Sequence, residues 1–149
     1  IGCGTGLLLL RVAPYTSHYV GTDFSPIALD YVGKLVSEHH MEQVKLWHRL
    51  ADDFTGIEPH SFDCVILNSV IQYFPNHDYL RRVIEGAVRA VAPGGVIFAG
   101  DVRNLPLLGA FHAALQVEQA EDGATREELQ QRVAAAEELD RLRLEDVVD

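Results

Sequence analysis

Three glycines near the start of the chain have the spacing of a ligand-binding turn. Residues 1–6 read IGCGTG, so Gly2, Gly4 and Gly6 alternate with other residues ahead of an apolar run. Glycines at a strand-to-helix joint let the backbone approach a ligand closely and leave amides facing it. The dinucleotide fingerprint is GxGxxG, and Leu7 stands where that pattern requires its last glycine. We therefore expect a ligand loop and disfavour a nicotinamide site.

An aspartate stands where the next strand is expected to end. Residues 18–22 are typical of a short buried strand, and Asp23 follows them directly. A carboxylate at this place can accept hydrogen bonds from both hydroxyls of a ribose held by the glycine loop. Capping of the next helix is the alternative role, but Ser25 already occupies the cap position ahead of Pro26.

Further polar side chains follow the later strands. Asp52 and Asp53 come after an expected strand at residues 44–47, and on their own they fit a solvated loop pair. Asn68 follows a near-continuous apolar strand at residues 62–67, whose pattern suits a parallel sheet covered on both faces. Ligands of open α/β sheets bind at the carboxyl ends of the strands, so these groups are expected near the glycine loop.

Aromatic and titratable residues complete the set of candidates. Tyr73 and Phe74 are expected to face the same crevice, with core packing as the alternative for Phe74 above all. Asp101 follows a fifth strand at residues 96–100. His112 lies in an apolar helical segment, where it is either a proton acceptor or a structural histidine.

The elements that must position these residues alternate between strands and helices. Helical patterns are expected at residues 7–12, where Pro14 closes the helix, and at residues 26–36 and 80–91; residues 92–95 end the last of these in a tight turn. The fold class predicted is a Rossmann-like, doubly wound α/β domain with a mainly parallel sheet and helices on both faces.

After the fifth strand the sequence pattern predicts helices only. Residues 105–120 read as one helix, and a second begins at Thr125, which forms a capping box with Glu128. A break between them is expected at residues 121–123. We therefore expect residues 1–104 to form a ligand-binding core with a truncated first strand, and residues 105–149 a helical flap of the same domain that leads towards missing strands. The absence of an initiating Met suggests an excised piece.

Composition excludes several partners. The 149 residues carry a formal net charge of −10, which disfavours nucleic acid because that binding depends on cationic side chains. Cys3 and Cys64 lie far apart, which predicts two buried thiols, a reducing cytoplasm and no disulfide framework. The histidines show no metal-ligand spacing, so no metal is expected. No apolar stretch is long enough for a membrane span.

Together these motifs resemble class I S-adenosylmethionine-dependent methyltransferases. Residues 1–6 look like the first motif of that family, and residues 21–25, GTDFS, like its second. The stretches NSVIQYFP at residues 68–75 and GDVRN at residues 100–104 resemble motifs of methyltransferase domains embedded in nonribosomal peptide synthetases. The resemblance extends from residue 1 to about residue 140.

The resemblance implies S-adenosylmethionine as the cofactor and a role for each candidate. The residues implied to bind the cofactor are Gly2, Gly4, Gly6, Asp23, Phe24, Asp52, Asp53 and Asn68. Within that set Phe24 would flank the adenine, and Asp52 would accept from its amine, with Asp53 as the register alternative. The residues expected to serve the acceptor are Asn68, Tyr73, Asp101 and His112.

The function implied is N-methylation of a carrier-bound aminoacyl thioester presented by an adjacent synthetase domain. A carbon or oxygen methyltransferase, from a polyketide-type assembly line or acting alone on a small molecule, is the nearest alternative because its donor half would be the same. A nicotinamide oxidoreductase and a scaffold without catalysis are more distant alternatives.

Overall fold

The computed structural model describes residues 1–121 and 123–145. Its strands are β1 (Tyr19–Asp23), β2 (Val44–His48), β3 (Phe62–Asn68) and β4 (Val91–Gly100). Its helices are α1 (Leu9–Val12), α2 (Pro26–Glu38), α3 (His77–Ala90), α4 (Leu108–Glu118) and α5 (Arg126–Glu145). The alternation of strands and helices up to β4 confirms the predicted α/β class.

The strands pair in parallel, β1 with β2 and β3 with β4. The start of the chain lies between these two pairs. Ile1 donates from its amino group to the carbonyl of Ile66 at 2.9 Å, and the Cys3 N–H donates to the carbonyl of Thr22 at 2.9 Å. The segment that leads into the glycine loop therefore bridges β3 and β1, and this places the loop at the carboxyl ends of both strands.

Each pair of strands has its own buried cluster. Leu9, Ala13 and Val32 pack α1 and α2 together beside β1 and β2. Val65, Ala87 and Ala90 pack α3 onto β3. Burial of these apolar side chains is the main term that holds the helices against the strands, at about 25 cal/mol per Å² removed from water.

The helix starts follow local side-chain chemistry. Ser25 Oγ accepts from the N–H of Ala28 at 3.3 Å, which confirms the predicted cap of α2. Asn76 Oδ1 accepts from the N–H of Tyr79 at 2.9 Å. That cap starts α3 at His77, three residues before the apolar pattern that predicted it.

The predicted capping box ahead of α5 is confirmed. Thr125 Oγ1 accepts from the N–H of Glu128 at 3.3 Å, and Glu128 Oε2 accepts from the N–H of Thr125 at 2.9 Å. The hydrogen bonds that the Glu128 carboxylate accepts from the backbone N–H and the hydroxyl of Thr125 lower the pKa of Glu128. The expected helix at 105–120 is divided into a 3₁₀ turn (Leu105–Leu107) and α4. Within the predicted break at 121–123, residue 122 lies outside the described residues, as do residues 146–149 of the predicted flap.

Two predicted boundaries were wrong. The first helix begins at Leu9, two residues later than predicted, and ends at Val12 as predicted. A 3₁₀ turn (Ala13–Tyr15) follows it and includes Pro14, because a proline in the first turn lacks only an N–H that would have no partner there. Residues 92–95 were predicted to form a turn that ends α3. Instead they lie within β4, because Val91 already pairs with Phe62 and the ladder resumes at Val96 opposite Cys64. The register between the two strands therefore shifts between Phe62 and Cys64.

The prediction of two buried thiols was wrong for Cys64. Cys3 is half-buried, but Cys64 is exposed. The reason is its position on β3, where it lines a cavity of about 480 Å³ between β1 and β3. This cavity also borders Ile1, Tyr19 and Phe62 and lies below the glycine loop. In the described part of the chain, no helix is both long and apolar enough to span a membrane.

Gly86 in α3 gives a test of this packing. A Cβ at Gly86 would overlap the ring of Phe54, which packs the loop after β2 onto α3. Gly86→Ala is expected to lower the free energy of unfolding by about 1–3 kcal/mol. In the matched variant Gly33→Ala the new Cβ meets Leu46 at an ordinary 3.7 Å, so helix propensity should raise stability by up to about 1 kcal/mol. Urea denaturation measures both, and a Gly86→Ala protein as stable as wild type would contradict the packing.

Candidate active site

The glycine loop has a backbone that only glycine adopts without strain. Gly2, Gly4 and Gly6 have φ values of +66°, +49° and +82°. The N–H of Gly6 donates to the carbonyl of Cys3 at 2.9 Å, which closes the turn. A Cβ at Gly2 would stand 2.6 Å from Cγ2 of Val70, so the loop also packs tightly against the segment after β3. The three glycines predicted from sequence are therefore required by geometry.

Asp23 joins this loop to the end of β1. Its Oδ2 accepts from the N–H of Gly4 at 2.7 Å, and its Oδ1 accepts from the N–H of Ser25 at 2.9 Å. The side chain is buried, with 7% of the residue exposed. Because a carboxylate has about four acceptor positions, these two bonds leave capacity for a ligand hydroxyl. The predicted ribose contact is compatible with this geometry and stays a prediction.

A cavity of about 320 Å³ borders the loop. Gly2, Gly4 and Leu7 line one side of it, and Asn68 and Ser69 line another. This cavity is the candidate ligand site in preference to the larger one below the loop, because backbone amides and strand carboxyl ends meet here.

The thiol of Cys3 lies within the loop and stays neutral. Burial, with a further contribution from the carboxylate of Asp23, raises the pKa of Cys3 to about 11. A protonated thiol is a poor nucleophile and a poor metal ligand. Among the residues that the structure describes, no group of three or more His, Cys, Asp or Glu side chains is arranged to hold a metal ion.

Phe24 presents its ring to solvent directly after Asp23. The residue is 72% exposed, although its backbone is held because His48 Nε2 donates to the Phe24 carbonyl at 2.8 Å. Since a carbonyl can only accept, this contact requires the tautomer with hydrogen on Nε2. An exposed aromatic ring on a fixed backbone is suited to stacking on a ligand base.

The structure gives Asp52 a cationic partner. Arg82 of α3 donates to Asp52 Oδ2 from Nε at 3.0 Å and from Nη2 at 2.9 Å. The hydroxyl of Tyr79 accepts from the N–H of Ala51 in the same loop at 3.1 Å, and burial, with a further contribution from the Asp52 carboxylate, raises the pKa of Tyr79. Asp52 is therefore anchored to α3 and is not a freely solvated loop residue.

Asp53 instead stabilises its own loop. Its Oδ1 accepts from the N–H of Thr55 at 2.9 Å, and this bond lowers the pKa of Asp53. Arg49 Nη1 donates to the carbonyls of Asp53 and Thr55 at 3.2 and 3.1 Å. Of the two register alternatives, Asp52 is the one held against α3.

Asn68 and Asp101 are brought together at the ends of the neighbouring parallel strands β3 and β4. Ser69 connects them, because Asn68 Nδ2 donates to Ser69 Oγ at 3.1 Å and Ser69 Oγ donates to Asp101 Oδ2 at 2.5 Å. Sequence reasoning did not select Ser69. Its position between Asn68 and Val70, directly after a strand, was the feature of the sequence that could have identified it as a site residue.

The two aromatic candidates behave differently. Tyr73 lies in a short 3₁₀ turn (Ile71–Tyr73) and is 69% exposed, so core packing is excluded for it. Phe74 is half-buried, and its ring centroid lies 5.0 Å from that of Tyr79. Packing between the turn and α3 therefore accounts for Phe74.

His112 is buried in the flap. Its Nε2 lies 2.9 Å from Asp140 Oδ2, and Arg103 also forms an ion pair with Asp140. His112 Nδ1 is buried without a hydrogen-bond partner in the described residues. The cluster connects α4, α5 and the segment after β4. Asp140 and Arg103 were not selected from sequence, because only helix packing brings residue 140 next to residue 112.

Comparisons with known proteins identify the family. A family model described as a methyltransferase domain matches residues 1–97. The chain is 51% identical over 134 residues to a chondramide synthase of Chondromyces crocatus, a match that covers 89% of this chain and 3% of that protein. It is 42% identical over 115 residues to a probable non-canonical nonribosomal peptide synthetase of Salinispora arenicola, a match that covers 77% of this chain and 2% of that protein. The chain thus spans a few per cent of the length of these relatives.

A solved structure shares the fold. The S-adenosylmethionine-dependent methyltransferase of Clostridium acetobutylicum superposes with a TM-score of 0.66 at 18% identity. The alignment covers 74% of this chain and 44% of that one. This likeness confirms the Rossmann-like fold.

The contact between Gly2 and Val70 predicts that the loop tolerates no side chain at this position. Gly2→Ala is expected to weaken binding of S-adenosylhomocysteine at least about tenfold, because φ is positive and Val70 must move. Gly56→Ala has a similar φ of +72° but meets no atom within 4 Å and lies outside the loop, so it should leave affinity unchanged. Calorimetric titration compares them, and equal affinities in the two variants would refute the loop geometry.

Proposed function

The chain belongs to the S-adenosylmethionine-dependent methyltransferases and resembles the methyltransferase domains of nonribosomal peptide synthetases, and we propose that it methylates the amine of an aminoacyl thioester. The observation that carries the proposal is the cluster of Asn68, Ser69 and Asp101 beside the glycine-loop cavity. This cluster offers oxygens that can accept hydrogen bonds from an amine, next to the proposed site of the methyl donor.

The residues at the loop fit the cofactor. Gly2, Gly4 and Gly6 hold the backbone in a left-handed turn beside the cavity, and Asp23 keeps acceptor capacity at that turn. When bound, S-adenosylmethionine supplies a methyl group on a sulfonium, whose sulfur leaves as a thioether when a nucleophile attacks the methyl carbon in line. The protein has to hold that group and exclude water, and Asp23 would do so by accepting from the ribose hydroxyls.

The adenine end would be held by the loops after β1 and β2. Phe24 would cover the ring, because it is exposed on a fixed backbone. Asp52 would accept from the exocyclic amine, and Arg82 would hold its carboxylate in place. Asp53 remains the register alternative, although its bond to Thr55 commits one of its oxygens.

The acceptor would lie over the ends of β3 and β4. Asn68 offers an amide that can contact both donor and acceptor, since it borders the cavity and also joins the Ser69–Asp101 pair. Asp101 would accept a hydrogen bond from the amine and hold its departing proton. Tyr73 would position the acceptor with its exposed ring. Alignment of the reacting groups supplies most of the rate in such a transfer, with effective molarities of about 10⁵ M or more.

Nitrogen is the acceptor that this site suits best. An α-amino group has a pKa of about 7.7–8.0, so a large fraction is already neutral and nucleophilic near physiological pH. Carbon and alcohol acceptors must lose a proton of much higher pKa, which a carboxylate removes poorly because it is a weak base. A carboxylate such as Asp101 is nevertheless sufficient to orient an amine. The carbon and oxygen alternatives would require a stronger base.

His112 belongs to the flap in this proposal. Asp140 holds its Nε2, and its unpartnered Nδ1 is the atom that could take a proton. We propose that residues 1–104 hold the donor and that the flap from residue 105 covers the acceptor. The acceptor would arrive as a thioester on a carrier from an adjacent synthetase domain, as the multidomain relatives suggest.

Transfer to an aminoacyl thioester of N-acetylcysteamine tests the proposal. With methyl-labelled S-adenosylmethionine, label should appear on the amine, and the rate should rise with pH through the amine pKa as the neutral form accumulates. The N-acetylated thioester and the matching hydroxyacyl thioester are the controls and should stay unlabelled. Mass spectrometric mapping of the label to carbon or oxygen would reject the nitrogen assignment.

A further inference from the structure

Two residues in the acceptor cluster adopt a backbone conformation that side chains disfavour. Ser69 has φ +55° directly after β3, and Asp101 has φ +52° directly after β4. Both are exposed, so core packing does not impose this conformation. Left-handed backbone in residues other than glycine is uncommon, and it concentrates at functional sites.

Hydrogen bonds fix the two strained residues to one another. The N–H of Ser69 donates to the carbonyl of Gly100 at 3.2 Å, and Ser69 Oγ donates to Asp101 Oδ2 at 2.5 Å. Asn68 Nδ2 donates to the same Oγ at 3.1 Å. The hydroxyl of Ser69 therefore accepts from Asn68 and donates to Asp101. In the described part of the chain, Asp101 Oδ1 accepts no hydrogen bond.

Gly100 provides the space for this arrangement. A Cβ at Gly100 would overlap Oδ1 of Asn68, and it would lie 2.5 Å from the ring of Phe98. The side chain of Asn68 thus crosses from β3 onto the bare backbone of β4. Ser69 also lines the glycine-loop cavity. Ser69 therefore borders the proposed donor cavity and also hydrogen-bonds to the Asp101 carboxylate.

Glycine would adopt both left-handed conformations without strain, as Gly2, Gly4 and Gly6 do in the loop nearby. A serine and an aspartate at these positions are therefore best explained by what their side chains do. We propose that Ser69 is a positioning residue, which occupies Oδ2 of Asp101 and so directs Oδ1 towards the acceptor beside the donor. This inference rests on the proposed acceptor site over β3 and β4.

Ser69→Gly separates this role from a structural one. The substitution relieves the strain at φ +55° and removes the CH₂OH side chain of an exposed residue, so the melting temperature should stay equal or rise. The kcat for methyl transfer should fall about 10- to 100-fold through misalignment, with the Kd of S-adenosylhomocysteine changed less than about threefold. Ser69→Asn tolerates left-handed backbone and can donate to Asp101, so it should recover part of kcat.

His40→Gly is the matched control for strain relief. His40 has φ +52° just beyond the end of α2, where glycine is the favoured residue, and it lies outside the proposed site. This variant should keep wild-type kcat with an equal or higher melting temperature. All variants are assayed with whichever acceptor atom the wild type methylates, so that failure of the nitrogen assignment leaves this test intact. Wild-type kcat in Ser69→Gly, or loss of its S-adenosylhomocysteine binding or thermal stability, would overturn the positioning role.

Discussion

The rest of the site depends on two hydrogen bonds to one buried carboxylate. Asp23 accepts from the N–H of Gly4 on one oxygen and from the N–H of Ser25 on the other. The first bond fixes the glycine loop over the end of β1, and the second fixes the start of α2. Hydrogen bonds to a charged group contribute about 1.5–3 kcal/mol each, and leaving such a carboxylate buried without them would cost more. The loop and the strand end therefore form one rigid unit.

The acceptor side is attached to this unit through van der Waals packing. Val70 follows Ser69 and touches the backbone at Gly2, so the segment after β3 and the glycine loop constrain one another. The Ser69–Asp101 bond then continues the connection to β4. Adjacent contacts thus hold the glycine loop and the Ser69–Asp101 pair in register, and in the proposed reaction this would align donor and acceptor for in-line methyl transfer.

The sequence predicted those parts of the fold that local chemistry controls. The strand that ends at Asp23, the Ser25 cap and the Thr125–Glu128 capping box follow from residue type and spacing, and the structure contains them all. Residues 92–95 were predicted to form a turn because Pro93 and Gly94 have the composition of one, whereas the structure places them within β4, between the paired residues Val91 and Val96.

Sequence patterns could not predict the contacts between elements that lie far apart along the chain. The pairing of Asp52 with Arg82, and of His112 with Asp140, depends on how helices pack and has no local signature. Left-handed backbone at Ser69 is likewise set by the ends of β3 and β4, since serine itself does not favour it. Asn68 and Asp101 were selected from recognisable motifs, whereas Ser69, which joins them, was found only in the structure.

Calorimetric titration of S-adenosylhomocysteine into Asp23→Asn tests the central claim most directly. The amide keeps the shape of the carboxylate but carries no charge, and its NH₂ group would face a backbone N–H that needs an acceptor. The affinity should fall at least about tenfold, while Asp30→Asn, at an exposed position of α2, should bind as wild type does. A folded Asp23→Asn protein with the wild-type Kd would contradict the account.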